Sequence, residues 1–146
     1  MNITGFPRHG GFTLIEIMVV VVILGILAAV IVPKLTEKPG EARAVKARSD
    51  IRQLESALEM YKLDNFYYPS TQQGLRSLVE KPAGDPPARN WRSAYVNRLP
   101  KDPWDNPYQY LQPGNKGAFD VFTLGADGKP GGEGEDADIG NWNIEG

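Results

Sequence analysis

The sequence predicts an α+β fold: a long N-terminal α-helix, apolar in its first half and amphipathic in its second, packed on a small antiparallel β-sheet. Three observations carry this. A nearly uncharged run occupies Phe12 to Val32. An apolar stripe at helical spacing follows between Ala44 and Tyr61. Two short strand-like segments then flank a Pro-Gly turn near the C-terminus.

Length and composition narrow the function. The 146 residues suit one modest domain with an appendage. The net charge of -2 lacks the basic footprint of a dedicated nucleic-acid binder, so no nucleic-acid partner is expected. There is no cysteine and a single histidine, His9. A thiolate nucleophile, a disulfide framework and a cysteine zinc site are excluded. Beyond His9 the chain also lacks the usual general base. No paired-acid motif stands outside the acidic C-terminal loop, and no enzyme is expected.

Met1 to Gly11 is short, polar and weakly basic through Arg8 and His9. The run from Phe12 to Val32 holds one charge, Glu16. As a helix it would span roughly 30 Å, the thickness of a hydrocarbon core. Its Val and Ile residues are poor helix formers in water, but in lipid the backbone must satisfy itself and helix is the expected state. The run is too long for the apolar part of a secretory signal, about 7–15 residues. A simple anchor also has no use for Glu16, since a charge costs up to about 3 kcal/mol at a bilayer centre. Lys34, Lys38 and Arg43 outnumber Arg8 on the opposite flank, against the positive-inside tendency. Pro33 is expected to kink or loosen the helix.

Helical character is expected to resume near Glu41. Ala44, Ala47, Ile51, Leu54, Leu58 and Tyr61 recur at spacings of three and four, a narrow stripe for one buried face. Asp64, Asn65 and Tyr67-Tyr68-Pro69 end this helix. Ser70 to Gln73 reads as a capping box that opens a short helix with Leu75, Leu78 and Val79 on one side. Lys81 to Arg89 is Pro-rich and irregular, with Trp91, Tyr95 and Leu99 as anchors for the loop. Tyr108 to Leu111 and Ala118 to Leu124 are predicted strands joined by a hairpin through Pro113-Gly114-Asn115-Lys116-Gly117.

Asp127 to Glu145 holds six acids against one base, Lys129. Oxygen ligands among flexible glycines suit Ca²⁺, although the spacing is not that of an EF-hand. The residues alone equally allow a solvated acidic loop.

Two segments carry a family resemblance. Gly10-Gly11-Phe12-Thr13-Leu14-Ile15-Glu16 resembles the prepilin peptidase site of type IV pilins and pseudopilins. The resemblance implies cytoplasmic cleavage between Gly11 and Phe12, N-methylation of Phe12, and a role in assembly for Glu16, the fifth mature residue. Leu99-Pro100-Lys101-Asp102-Pro103-Trp104-Asp105-Asn106-Pro107-Tyr108 resembles the DPWGNPY segment of the major pseudopilins of type II secretion systems, with Asp105 where glycine is usual. Tyr67 to Leu75, Leu124-Gly125-Ala126-Asp127-Gly128 and Asp138-Ile139-Gly140-Asn141-Trp142 are similar to the same family. True pilins commonly close this region with a cysteine pair, absent here.

The resemblance implies a type IV pilin-like fold with a leader at 1–11, a transmembrane and polymerisation helix at 12–32, and a periplasmic globular domain at 33–146. It implies a homo-oligomeric helical filament, stored in the inner membrane and extracted into the periplasm to support export of folded proteins. Expected partners are prepilin peptidase, minor pseudopilins and an inner-membrane assembly platform. It also implies a calcium site with Asp127 and one or both of Asp136 and Asp138 as carboxylates, and Leu124 and Lys129 as carbonyl donors. The choice among Glu133, Asp136 and Asp138 stays open. So do two other readings of the chain: a true type IV pilin for adhesion or motility, and a membrane-anchored calcium- or carbohydrate-binding module.

Overall fold

The computed structural model describes residues 10–145, with the backbone alone for residues 30–38. The elements are one long helix, α1 (Leu14–Asn65), and three short strands, β1 (Gln109–Leu111), β2 (Asp120–Thr123) and β3 (Ile139–Gly140), with 3-10 turns at Leu75–Leu78 and Gly134–Asp136. The chain divides into two compact units, residues 1–38 and 39–146. The bounds of α1 take in Pro39 and Gly40, where the sequence suggested a pause. The bounds of α1 also run through Pro33, where a kink was expected; most of the leader lies outside the described residues, as do the side chains at the end of the apolar run.

In the first unit, α1 starts at a capping residue. Thr13 Oγ1 accepts a hydrogen bond from the Glu16 backbone N–H at 3.3 Å, satisfying one of the orphan donors of the first turn. Glu16 thereby sits where a negative charge favours the helix dipole. The side chains from Phe12 to Ala29 are exposed on every face of the helix. Among the described residues no helix is long and apolar enough to cross a membrane; their share of the apolar run stops at Ala29, short of Val32.

In the second unit the expected stripe is the core. Ala47, Ile51, Leu54, Leu58 and Tyr61 are buried and Ala44 packs at their margin. Asn65 ends α1 by turning its amide to the Tyr61 carbonyl and the Tyr95 hydroxyl, each at 3.1 Å. The Ser70–Gln73 box forms reciprocally, Gln73 N to Ser70 Oγ at 3.3 Å and Ser70 N to Gln73 Oε1 at 3.0 Å. It closes a turn that leads into the 3-10 helix burying Leu75 and Leu78. Trp91, Tyr95 and Leu99 anchor the loop as expected. The Trp91 indole donates to the Ser77 carbonyl at 2.8 Å.

The sheet has order β1-β2-β3, antiparallel throughout. The predicted hairpin pairs Gln109 with Phe122 and Leu111 with Asp120. The third strand was not legible in the sequence. Thr123 pairs with Ile139 and Phe122 with Gly140, and the Trp142 ring covers Gly140 and lies tilted against Phe122, with centroids 5.6 Å apart. Asp105, where the resembling segment usually has glycine, holds φ 69. Aspartate is among the few non-glycine residues enriched in this left-handed region.

Tyrosines tie the sheet and loops to α1, and their burial sets a pH limit. The hydroxyls of Tyr61, Tyr68 and Tyr95 are pushed up to about 12 by burial, and those of Tyr68 and Tyr95 also by Glu59 and Asp64, which accept their protons. Tyr108 and Tyr110 are pushed up further, chiefly by burial. Unfolded phenols ionise near 10. The folded values are raised, so this stability is fully present below about pH 10 and is lost as pH rises through about 12. The melting temperature should therefore be level from about pH 7 to 9 and fall steeply above 10, and Tyr95→Phe should soften the fall. A midpoint that holds level beyond pH 12 contradicts this.

Candidate functional site

Two regions carry the chemistry anticipated from the sequence. The first is the start of the helix. Gly10, Gly11 and Phe12 are exposed, and a Cβ added at Gly10 or Gly11 would meet nothing within 4 Å. The fold of the described residues therefore does not require glycine at either position. Glu16 is exposed and, among the described residues, forms no ion pair.

The second region is the acidic loop. Its two limbs meet backbone to backbone: Ala126 N donates to Glu135 O at 2.9 Å. This contact needs Gly125, whose φ is +67 and whose Cβ would stand 2.7 Å from Glu135 O. Gly132 plays the same part across the loop, where a Cβ would stand 2.5 Å from the Asp136 carbonyl. Arg43 on α1 holds Glu135 in an ion pair at 3.1 Å; with both groups nearly half exposed it contributes little energy and mainly sets position.

The candidate ligands are brought together only in part. Asp127 Oδ1 accepts the Lys129 N–H at 3.0 Å, a local turn over 127–129. Asp138 Oδ2 accepts the Gly131 N–H at 2.8 Å, while Asp138 Oδ1 is buried with no hydrogen-bond partner. A buried acceptor without a donor is costly and is the sort of atom a cation completes. Asp136 is exposed, and Gly125 and Gly132 crowd its backbone carbonyl. Among the described residues no three acidic side chains converge on one point. Among the described residues the acids therefore do not form an all-carboxylate cage.

The sequence reading missed what supports the loop. Asp102 is 5 % exposed. It accepts the backbone N–H groups of Trp104 at 3.0 Å and Asn106 at 2.8 Å and the hydroxyl of Thr123. Thr123 Oγ1 in turn accepts the Gly125 N–H at 3.3 Å. One buried carboxylate thus orders the segment 102–106 and the entry to the acidic loop together. The only sequence sign was an aspartate preceding a proline and a tryptophan.

The chain's similarities agree with these features. The family described as type II secretion system (T2SS), protein G, matches residues 34–142. The prokaryotic N-terminal methylation motif matches residues 7–32. Type II secretion system core protein G of Pseudomonas aeruginosa is 61% identical over 137 residues, covering 93% of this chain and 96% of the relative. The Vibrio cholerae protein of the same description is 63% identical over 139 residues, 94% of each chain. The crystal structure of the major pseudopilin from the type 2 secretion system of enterohaemorrhagic Escherichia coli matches with TM-score 0.67 at 49% identity, over 75% of this chain and 95% of that one.

Proposed function

The chain belongs to the type II secretion system protein G family of major pseudopilins, and on that premise we propose that it is cut between Gly11 and Phe12, methylated on Phe12 and polymerised through its apolar helix into a periplasmic filament. The family is structural, and the chain is not an enzyme. Its methylation motif implies pilus-assembly partners in general. Prepilin peptidase, minor pseudopilins and an inner-membrane platform are the partners proposed here, with the subunit stored in the inner membrane and its globular domain in the periplasm.

The observation that carries this reading is an apolar helix exposed on every face and led by two glycines that the fold does not use. An exposed apolar surface of that extent needs lipid or other subunits around it. Both surroundings are dry, so one helix serves as membrane store and as filament core. In the filament Glu16 pairs with the Phe12 ammonium of a neighbour, each neutralising a charge that is costly alone in apolar surroundings. Glu16→Ala should leave cleavage and membrane insertion intact but abolish filaments and secretion, read by shearing and immunoblot. Wild-type polymerisation of Glu16→Ala would exclude the pairing.

We also propose that the acidic loop holds one Ca²⁺. The buried, unpartnered Asp138 Oδ1 and the exposed Asp127 and Asp136 support this, with Leu124 and Lys129 offering carbonyls. Bound there, the ion neutralises the loop's like charges and links its two limbs. Binding at a hundredfold excess over Kd stabilises a fold by about 2.7 kcal/mol. The melting temperature should rise with Ca²⁺, fall with chelator and respond weakly to Mg²⁺, which demands a tighter octahedron. Asp127→Ala and Asp138→Ala should each remove the response. A melting curve of metal-free protein indifferent to calcium would leave the loop as a solvated acidic segment.

A further inference from the structure

Asp127-Gly128 is the one place in the sequence where an aspartate or an asparagine precedes glycine. The turn there leaves both residues exposed. The hydrogen bond from the Lys129 N–H to Asp127 Oδ1 closes a ring that has Asp127 Cγ and the Gly128 nitrogen as members. That nitrogen donates to no backbone acceptor among the described residues, while its neighbour on Lys129 is engaged. Gly128 holds φ +65, and nothing lies within 4 Å of where its Cβ would be, so neither a side chain of its own nor a packed neighbour shields the nitrogen. Other aspartates are less open. Asp85 and Asp102 precede proline, which has no N–H to lose. Asp50, Asp120 and Asp138 precede β-branched residues, whose two heavy atoms on Cβ crowd the backbone. Asp136 is exposed in the same loop, but the N–H of the following Ala137 is tied to the Gly134 carbonyl at 3.4 Å.

We propose that Asp127 is a modification site, where the folded chain isomerises spontaneously to isoaspartate. The Gly128 nitrogen attacks Asp127 Cγ; the N–Cγ bond forms and a Cγ–Oδ bond breaks. The departing oxygen takes the amide proton and one proton from solvent and leaves as water, closing a five-membered imide. Water then adds to one of the two imide carbonyls. Opening at Cγ restores aspartate. Opening at the main-chain carbonyl leaves the chain running through Cβ. Composition is unchanged overall, and water is the one co-reactant. The product has one more backbone atom and carries its carboxylate directly on Cα, so the contact with the Lys129 N–H is not kept. The same carboxylate is proposed above as a calcium ligand, but the isomerisation does not depend on an ion and is followed in metal-free protein.

The test incubates the full chain, metal-free and folded, at neutral pH for days. Isoaspartate is located by electron-transfer fragmentation, which cuts the Cα–Cβ bond that isoaspartate alone carries in its backbone, and is counted with an isoaspartyl methyltransferase. It should accumulate at Asp127 several-fold faster than at Asp136, the control in the same loop. Asp127→Glu keeps the charge but would need a six-membered ring, so the signal should vanish. Asp127→Asn passes through the same imide with ammonia as the leaving group and should convert faster, read as the mass change from amide to acid. Gly128→Ala sets a side chain beside the nitrogen and should slow conversion several-fold, with a melting curve that shows the fold intact. The converted fraction, separated by chromatography, should melt below the unconverted chain. Equal conversion at Asp127 and Asp136, conversion at Asp127 only after the chain is unfolded in guanidinium, or an unchanged rate in folded Gly128→Ala would each overturn the proposal.

Discussion

Gly11→Leu is expected to abolish maturation completely, leaving a precursor that keeps residues 1–11 and carries no methyl group. Among the described residues a Cβ at Gly11 meets nothing within 4 Å, so the variant should fold and insert as before. What it cannot do is lay its backbone flat in a protease cleft, which a residue without Cβ permits. The reporter is the intact mass of the membrane-extracted protein, which for the unaltered chain should correspond to a methylated Phe12 start. A Gly11→Leu chain that matures to that same mass would remove the cleavage site from this position.

Gly125→Ala and Gly128→Ala should separate sharply, although the two glycines share a conformation. Their φ angles are +67 and +65, and a left-handed backbone costs an alanine roughly 1–2 kcal/mol at either. At Gly128 nothing lies within 4 Å of an added Cβ, so that cost is the whole effect. At Gly125 the Cβ would stand 2.7 Å from Glu135 O and from Asp136 C, both backbone atoms that cannot turn aside. The limbs must part, the Ala126 to Glu135 hydrogen bond is lost, and the cost should exceed about 3 kcal/mol. That corresponds to a fall of roughly 10 °C or more in melting temperature, with any calcium response lost alongside. Two variants melting within about 2 °C of each other would show that the limbs are not held as described.

Much of this protein is determined by short-range sequence. The apolar run, the stripe from Ala47 to Tyr61 and the Ser70–Gln73 box are each readable from neighbours within one or two turns, because helical periodicity and capping are local. The same holds for the hairpin, whose turn residues sit between its strands, and for the GGFTLIE segment, whose residues are contiguous. Chain-distant contacts were not readable. β3 is two residues long and has no period; it exists because Thr123 and Phe122 present free edge groups to Ile139 and Gly140 and Trp142 closes over them. Asp102 stood out in the sequence only as part of the resembling segment from Leu99 to Tyr108. Only the fold buries it and brings Thr123, twenty-one positions away, to its carboxylate. The acidic loop shows the division most clearly. Its charge and glycines were visible at once, whereas which acid is buried, which limb meets which, and which glycine has no room for a side chain depend on two backbone segments crossing, and no residue carries that information alone.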